Sequence, residues 1–236
     1  ITYHTRSPHS LNYLWLQLDP NIFSPDSDAV TTRTAPNPTT RLSYRALKAM
    51  QLRATFDGGV KITGVTNDVG GDLPHTVVKT MMRVDLPTPL ASGYSLTFNV
   101  GWNYAINDSK FISGRTGFEY FPDDKNYIYE VAQWFPRMVA YTDVNGWHNK
   151  QFLGRGEFTL EFGDYIVRIT VPDDHIVAST GELINPDEVL TDAQRERLAA
   201  ARTADTPMFV VTPDEAKANE SHKPEGKKTW IFQAKK

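Results

Sequence analysis

The chain has 236 residues, 40% of them hydrophobic and 22% charged, with a formal charge of −3. That is enough apolar material for a sizeable core, and the balance gives no reason to expect a nucleic acid or an anionic membrane as partner. Cysteine is absent, which excludes disulfides, thiolate metal sites and a cysteine nucleophile, and no apolar run approaches the roughly 18 residues of a membrane span.

The chain begins with Ile1 and shows no basic–apolar–small leader, so it reads as a piece of something longer. Cysteine content leaves the compartment open; an exported, periplasmic setting is favoured over a cytoplasmic one. Ile1–Arg6 is strand-like and Ser7-Pro8 breaks it. Leu11–Leu18 (LNYLWLQL) is apolar on both faces, as a buried strand or a short helix would be. The strand is favoured because Asp19-Pro20 stops it early. Asn21–Arg41 carries three prolines among Thr, Ser and Asp and reads as a long loop with room for a helical turn.

From Tyr44 to Val100 short runs alternate with turn residues: Ala49–Phe56, Val60–Thr66, His75–Lys79, Met81–Leu86 and Ser95–Val100. Spacing of about ten residues with Gly, Asp and Pro between them predicts an antiparallel sandwich or open sheet. Gly101–Tyr104 adds an aromatic strand, Asn107–Gly117 a polar loop, Phe118–Phe121 another strand, and Asp123–Asn126 a turn.

Tyr127–Pro172 is the richest stretch. Ala132–Gly146 has no clean period and reads as an irregular segment laid across a sheet edge. In Gly156–Val171, Phe158, Leu160 and Phe162 alternate with Glu157, Thr159 and Glu161, which predicts a strand with one buried face. Gly163-Asp164 then offers a turn into Tyr165–Val171 (YIVRITV), so a β-hairpin closed by Pro172 is expected. His175–Ala178 reads as a further strand. Thr191–Arg202 is the strongest helix, with Thr191 and Gln194 set as a capping box. Thr212–Glu220 follows as a second helix, Pro213 at its first position and Glu215 as box partner. Thr229–Ala234 is a strand, and no internal repeat is evident.

Few residues point to chemistry. The six histidines include no H-E-x-x-H pair, and Asp173-Asp174-His175 reads as a solvated turn. Glu157 and Glu161 share a strand face, as an acid pair could, or they form a solvent-facing edge. No G-x-S-x-G elbow occurs, Gly154-Arg155-Gly156 is a turn rather than a phosphate cradle, and the basic tail is a solvated face. Trp15, Trp102, Trp134 and Trp147 could form a sugar-stacking platform or serve as packing residues.

The order of features resembles the N-terminal domain of the aminopeptidase N family of zinc metallopeptidases, especially its bacterial members. Tyr3, Ser7-Pro8, Leu11 and Leu14–Leu18 are similar to early strands in which N-S-P-x-x-L precedes a leucine-rich strand. Gly114–Tyr120 resembles a glycine–aromatic stretch of that domain. Ala132–Asp143 (AQWFPRMVAYTD) looks like a variant of the T-Q-F-E … A-R … F-P-C-F-D-E-P block, and Gly156–Pro172 with Ala178–Leu183 (ASTGEL) matches the strand pair after it.

The resemblance implies a mainly β fold. It would be a large antiparallel β-sandwich or saddle with two short helices near the C-terminus, a single domain over 1–236 with a helical insertion at about 187–220. It implies no cofactor in this chain. Zinc, its ligands, the general-base glutamate and the G-A-M-E-N motif would belong to a downstream thermolysin-like catalytic domain beyond Lys236. This domain would shape one wall of a peptide cleft. Gln133 best matches the glutamine of the block that holds the substrate's amine, and Glu130 is the reserve, because Trp134-Phe135-Pro136 stand where the block's glutamate is expected. Trp134 and Tyr141 are the apolar neighbours that would exclude water. An independent carbohydrate- or peptide-binding module, or a scaffold domain of an inactive homologue, is the alternative.

Overall fold

The leucine-rich stretch is the hub of the fold. In the computed structural model, which describes residues 1–34, 41–154, 159–221 and 224–236, Leu14, Leu16 and Leu18 are fully buried. The architecture is mainly β, built from antiparallel sheets, and the chain falls into two units. One comprises Ile1–Phe121 with Tyr127–Glu161, the other Pro122–Asn126 with Phe162–Lys236.

The first unit starts with β1 (Thr2–His4) and β2 (Leu11–Gln17), followed by a 3-10 helix over Asp19–Phe23 and α1 (Asp28–Thr31). Next comes α2 (Tyr44–Thr55), where a strand over Ala49–Phe56 was expected. The reason is local. Ser43 accepts a hydrogen bond from the Ala46 N–H at 3.2 Å, an N-cap, and the next eight residues are good helix formers with no β-branched side chain. Then follow β3 (Lys61–Asn67), β4 (His75–Val78), β5 (Met81–Leu90) and β6 (Ser95–Asn103), which absorbs the separate strand expected at Gly101–Tyr104.

Strand β5 runs on through Pro87 and Pro89, where a turn was expected. Both prolines fall in a bulge: Leu11 pairs with Leu90 but Tyr13 with Asp85, so the register against β2 shifts there. Sheet order is β4-β5-β2 in one layer and β1-β6-β3 in the other. Leu14, Leu16, Met82 and Val84 from the first layer share one core with Tyr3, Val65 and Phe98 from the second.

A hairpin, β7 (Gly117–Phe121) and β8 (Asn126–Glu130), leads to β9 (Arg137–Met138), which pairs with β2 and becomes the fourth strand of its sheet. The irregular segment does lie across a sheet edge. A small hairpin follows, β10 (Tyr141–Thr142) with β11 (Gly146–Trp147). Asn145-Gly146 is the turn signal for it, and Gly146 takes the left-handed φ of 69°.

Among the described residues the expected hairpin over Gly156–Val171 is not formed. Glu157 and Phe158 lie outside the described residues. Leu160 bridges back to Val139, and the Glu161 N–H donates to the Met138 carbonyl at 3.3 Å. Phe162 is 90% exposed rather than buried.

In the second unit β12 (Tyr165–Pro172) pairs along its whole length with β14 (Lys227–Ala234), and β13 (Glu182–Leu183) adds to the other side of β14. Between them lie α3 (Pro186–Val189), α4 (Asp192–Ala201) and α5 (Pro213–Ser221). Trp230 and Phe232 pack with Val189 and Leu190 into a second core. The capping box of Thr191 and Gln194 is present. His175–Ala178 is not a strand; the His175 N–H closes a turn on the Pro172 carbonyl at 3.1 Å.

Candidate functional site

Glu130 ends β8 and is exposed. Three residues on, Gln133 adopts a φ of 56°. Left-handed backbone at a side chain of this size costs on the order of 1–3 kcal/mol and persists only where neighbours impose it. Among the described residues Lys79 and Lys125 share this conformation, but both sit in hairpin turns; Gln133 does not.

The residues that follow Gln133 in the chain are held by aromatic contacts. The Trp102 indole N–H of β6 donates to the Trp134 carbonyl at 3.2 Å. The two indoles lie 5.9 Å apart at 32°, and Phe135 packs edge-on to Trp134 at 5.1 Å. Buried Pro136 follows. Arg137 then anchors the segment: its Nε donates to Asp19 Oδ2 at 2.7 Å, and its Nη2 lies 2.6 Å from the same oxygen as an ion pair. Gln17 Nε2 donates to Asp19 Oδ1 at 2.5 Å. The Asp19 side chain is 2% exposed, and its burial pushes the carboxyl above the usual range against the pull of Arg137 and Gln17.

Tyr141 belongs to a different cluster. It faces Trp147 across the small hairpin, rings 5.2 Å apart and near perpendicular, and Trp147 lies 6.1 Å from the ring of Tyr3. Glu161 Oε1 accepts the Tyr141 N–H at 3.3 Å. Burial, the Glu161 charge and Tyr141 push the Tyr3 phenol up to about 12, although a hydrogen bond with Thr5 opposes them. Beside this cluster Thr142 Oγ1 and His148 Nε2 are 3.1 Å apart.

Trp134 is thus set on one aromatic clamp, with Gln133 next to it in the chain, Tyr141 on another, and Glu130 on an exposed strand end. Sequence reasoning passed over Trp102 as part of the clamp, and Glu161 as the group under Tyr141. Asn145-Gly146 could have located the second cluster; nothing in the sequence marks the reach of Trp102 to Trp134. Asp173 and Asp174 are used internally, by the Gly226 N–H at 3.1 Å and His175 Nδ1 at 2.7 Å. Among the described residues no three acidic or histidine side chains converge as a metal-ligand set, and no helix is long and apolar enough to cross a membrane.

No protein-family model matches the chain, and no curated protein matches it. Two solved structures are similar to it, both M1 zinc metallopeptidase from Deinococcus radiodurans. The first has a TM-score of 0.40 and 13% identity, covering 98% of this chain and 32% of that one. The second, a point mutant bound to a Tyr-Ser-Ala substrate, has a TM-score of 0.39 and 12% identity, covering 98% and 33%. The chain therefore spans about a third of the length of the structures it matches.

Proposed function

We propose that this chain is a non-catalytic β domain of a zinc aminopeptidase-like protein, packed beside a thermolysin-like catalytic domain and forming one wall of its peptide cleft. The observation that carries this reading is the left-handed backbone of Gln133. Strain of this kind is retained where a side chain must be presented in a fixed direction, and here it falls in the stretch whose motifs resemble the amine-holding block. The carboxamide oxygen accepts from a peptide's free ammonium. Trp134 and Tyr141 line the wall and exclude water, which strengthens that contact, and Glu130 supplies a second acceptor. On this reading the metal and the hydrolytic step belong to the partner domain and no step runs through this one.

The test is kinetic. In the full-length protein Gln133→Ala should raise KM for peptides several-fold with kcat little changed, the pattern of lost uniform binding. An unchanged KM removes Gln133 from the site. The gene downstream of the Lys236 codon should encode H-E-x-x-H with a further glutamate ligand; its absence overturns the peptidase reading. A rival reading, an independent carbohydrate-binding module, has the exposed rings of Tyr120, Tyr127 and Tyr129 in its favour. Against it, every tryptophan is buried or half-buried, so no exposed tryptophan row exists.

A further inference from the structure

The net charge of −3 conceals a segregation. Residues 29–56 hold five cations (Arg33, Arg41, Arg45, Lys48, Arg53) and no acidic residue. The remaining twenty basic residues face 28 acidic ones, so the rest of the chain carries −8. The centre of the basic stretch is α2, and it is an unusual helix: twelve residues long with none buried. Its seat on the fold is narrow. Arg53 Nε donates to the Phe111 carbonyl at 3.2 Å, and Lys48 Nζ lies 5.1 Å over the Phe111 ring. Meanwhile Tyr44 is 92% exposed, and Met50 and Leu47 are about half exposed.

We propose that α2 is a docking element for an anionic lipid surface. A helix that displays Leu, Met and Tyr beside Arg and Lys matches an interface where apolar side chains enter the acyl boundary and cations meet phosphate headgroups. A polyanion such as a nucleic acid would satisfy the cations and leave Leu47 and Met50 in water, so the lipid surface is the occupant the pairing favours. The acidic remainder of the chain would be repelled by the same surface, which selects one orientation at contact. This association is peripheral and independent of the peptidase reading.

The test is co-sedimentation with vesicles of phosphatidylcholine alone and of phosphatidylcholine with one-third phosphatidylglycerol, at low and physiological salt, with a DNA duplex as the competing polyanion. The protein should partition onto the anionic vesicles, less so as salt rises, and not onto neutral ones. Arg45→Gln, which removes one cation and neither of the two seat contacts, should lower that partition by about fivefold. Leu47→Gln with Met50→Gln should lower it while leaving the charge intact. Because none of these side chains is buried, circular dichroism should show the fold unchanged. No binding to anionic vesicles, equal binding to neutral ones, or an unaffected charge variant overturns the proposal. Binding to the duplex without binding to vesicles overturns it too and assigns the helix to a polyanion.

Discussion

Asp19 and Arg137 show how a single pair can decide whether an irregular segment is held. Asp19 is almost wholly removed from water, and Arg137 reaches it from β9, 118 residues away in sequence. Removing one partner of a buried pair leaves the other charge uncompensated, which costs about 3–5 kcal/mol. We therefore expect Arg137→Ala to destabilise the protein by that amount at pH 7, measured by urea denaturation. The sign of its pH dependence follows from the raised carboxyl of Asp19: stability is kept at low pH and lost as pH rises through the folded-state value. A loss that does not shrink on acidification would show that Asp19 is not the group left exposed to the penalty. Little of this was legible beforehand. Arg137 stood in a segment without a period, and Asp19 looked like a strand terminator. Gln133 was singled out by its resemblance to a motif, but its left-handed backbone was not legible, because glutamine is not a residue that advertises that conformation.

At the scale of elements, what could be read was whatever carried its own ends. Helices α4 and α5 were legible because Thr191 with Gln194, and Thr212 with Glu215, are written into the sequence and close as read. The α5 cap does more than start a helix. Both carboxylate oxygens of Glu215 accept from Arg197 Nη2 at 2.6 and 2.5 Å, and one also accepts the Thr212 N–H. The Arg197 hydrogen bonds first, then the Thr212 N–H, pull the Glu215 carboxyl down to about 2. A depressed carboxylate contributes above its unfolded value and loses that contribution as pH falls through the folded one. The α4–α5 contact should thus hold down to about pH 3, and a carbon-detected NMR titration should place the Glu215 midpoint near 2; a midpoint near 4.5 would exclude the bridge in solution. Strands were legible as strands, but not their partners. A period of two says which face is buried and nothing of what lies alongside, so Thr159–Glu161 and Tyr165–Val171 were joined to one another when each pairs elsewhere. Helix α2 was missed for the opposite reason: its surface presents no buried face from which a period could be read.

For the molecule as a whole, the β-rich fold class was plain from the spacing of turn residues, and the two separate cores were not. Each core is closed by strands distant in sequence. Leu16, fully buried on the central strand β2, touches the first of them. Its truncation to alanine should cost about 2–5 kcal/mol, read as a lowered urea midpoint at unchanged slope; a loss under 1 kcal/mol would mean the cavity collapses and the core is looser than its burial implies.

The position of β14 has a consequence in time. It lies between β12 and β13, and its Thr229 faces Thr170 of β12, 59 positions earlier in the chain. On a ribosome that adds residues in order, β12 and β13 emerge with no neighbour to pair with, while the helices that follow β13 need only local contacts. At about 5–20 residues per second, the open strand edges wait several seconds for β14. That interval, rather than the finished structure, is when Ile169 and Val171, which pack against the second core once it forms, stand exposed to association with other nascent chains.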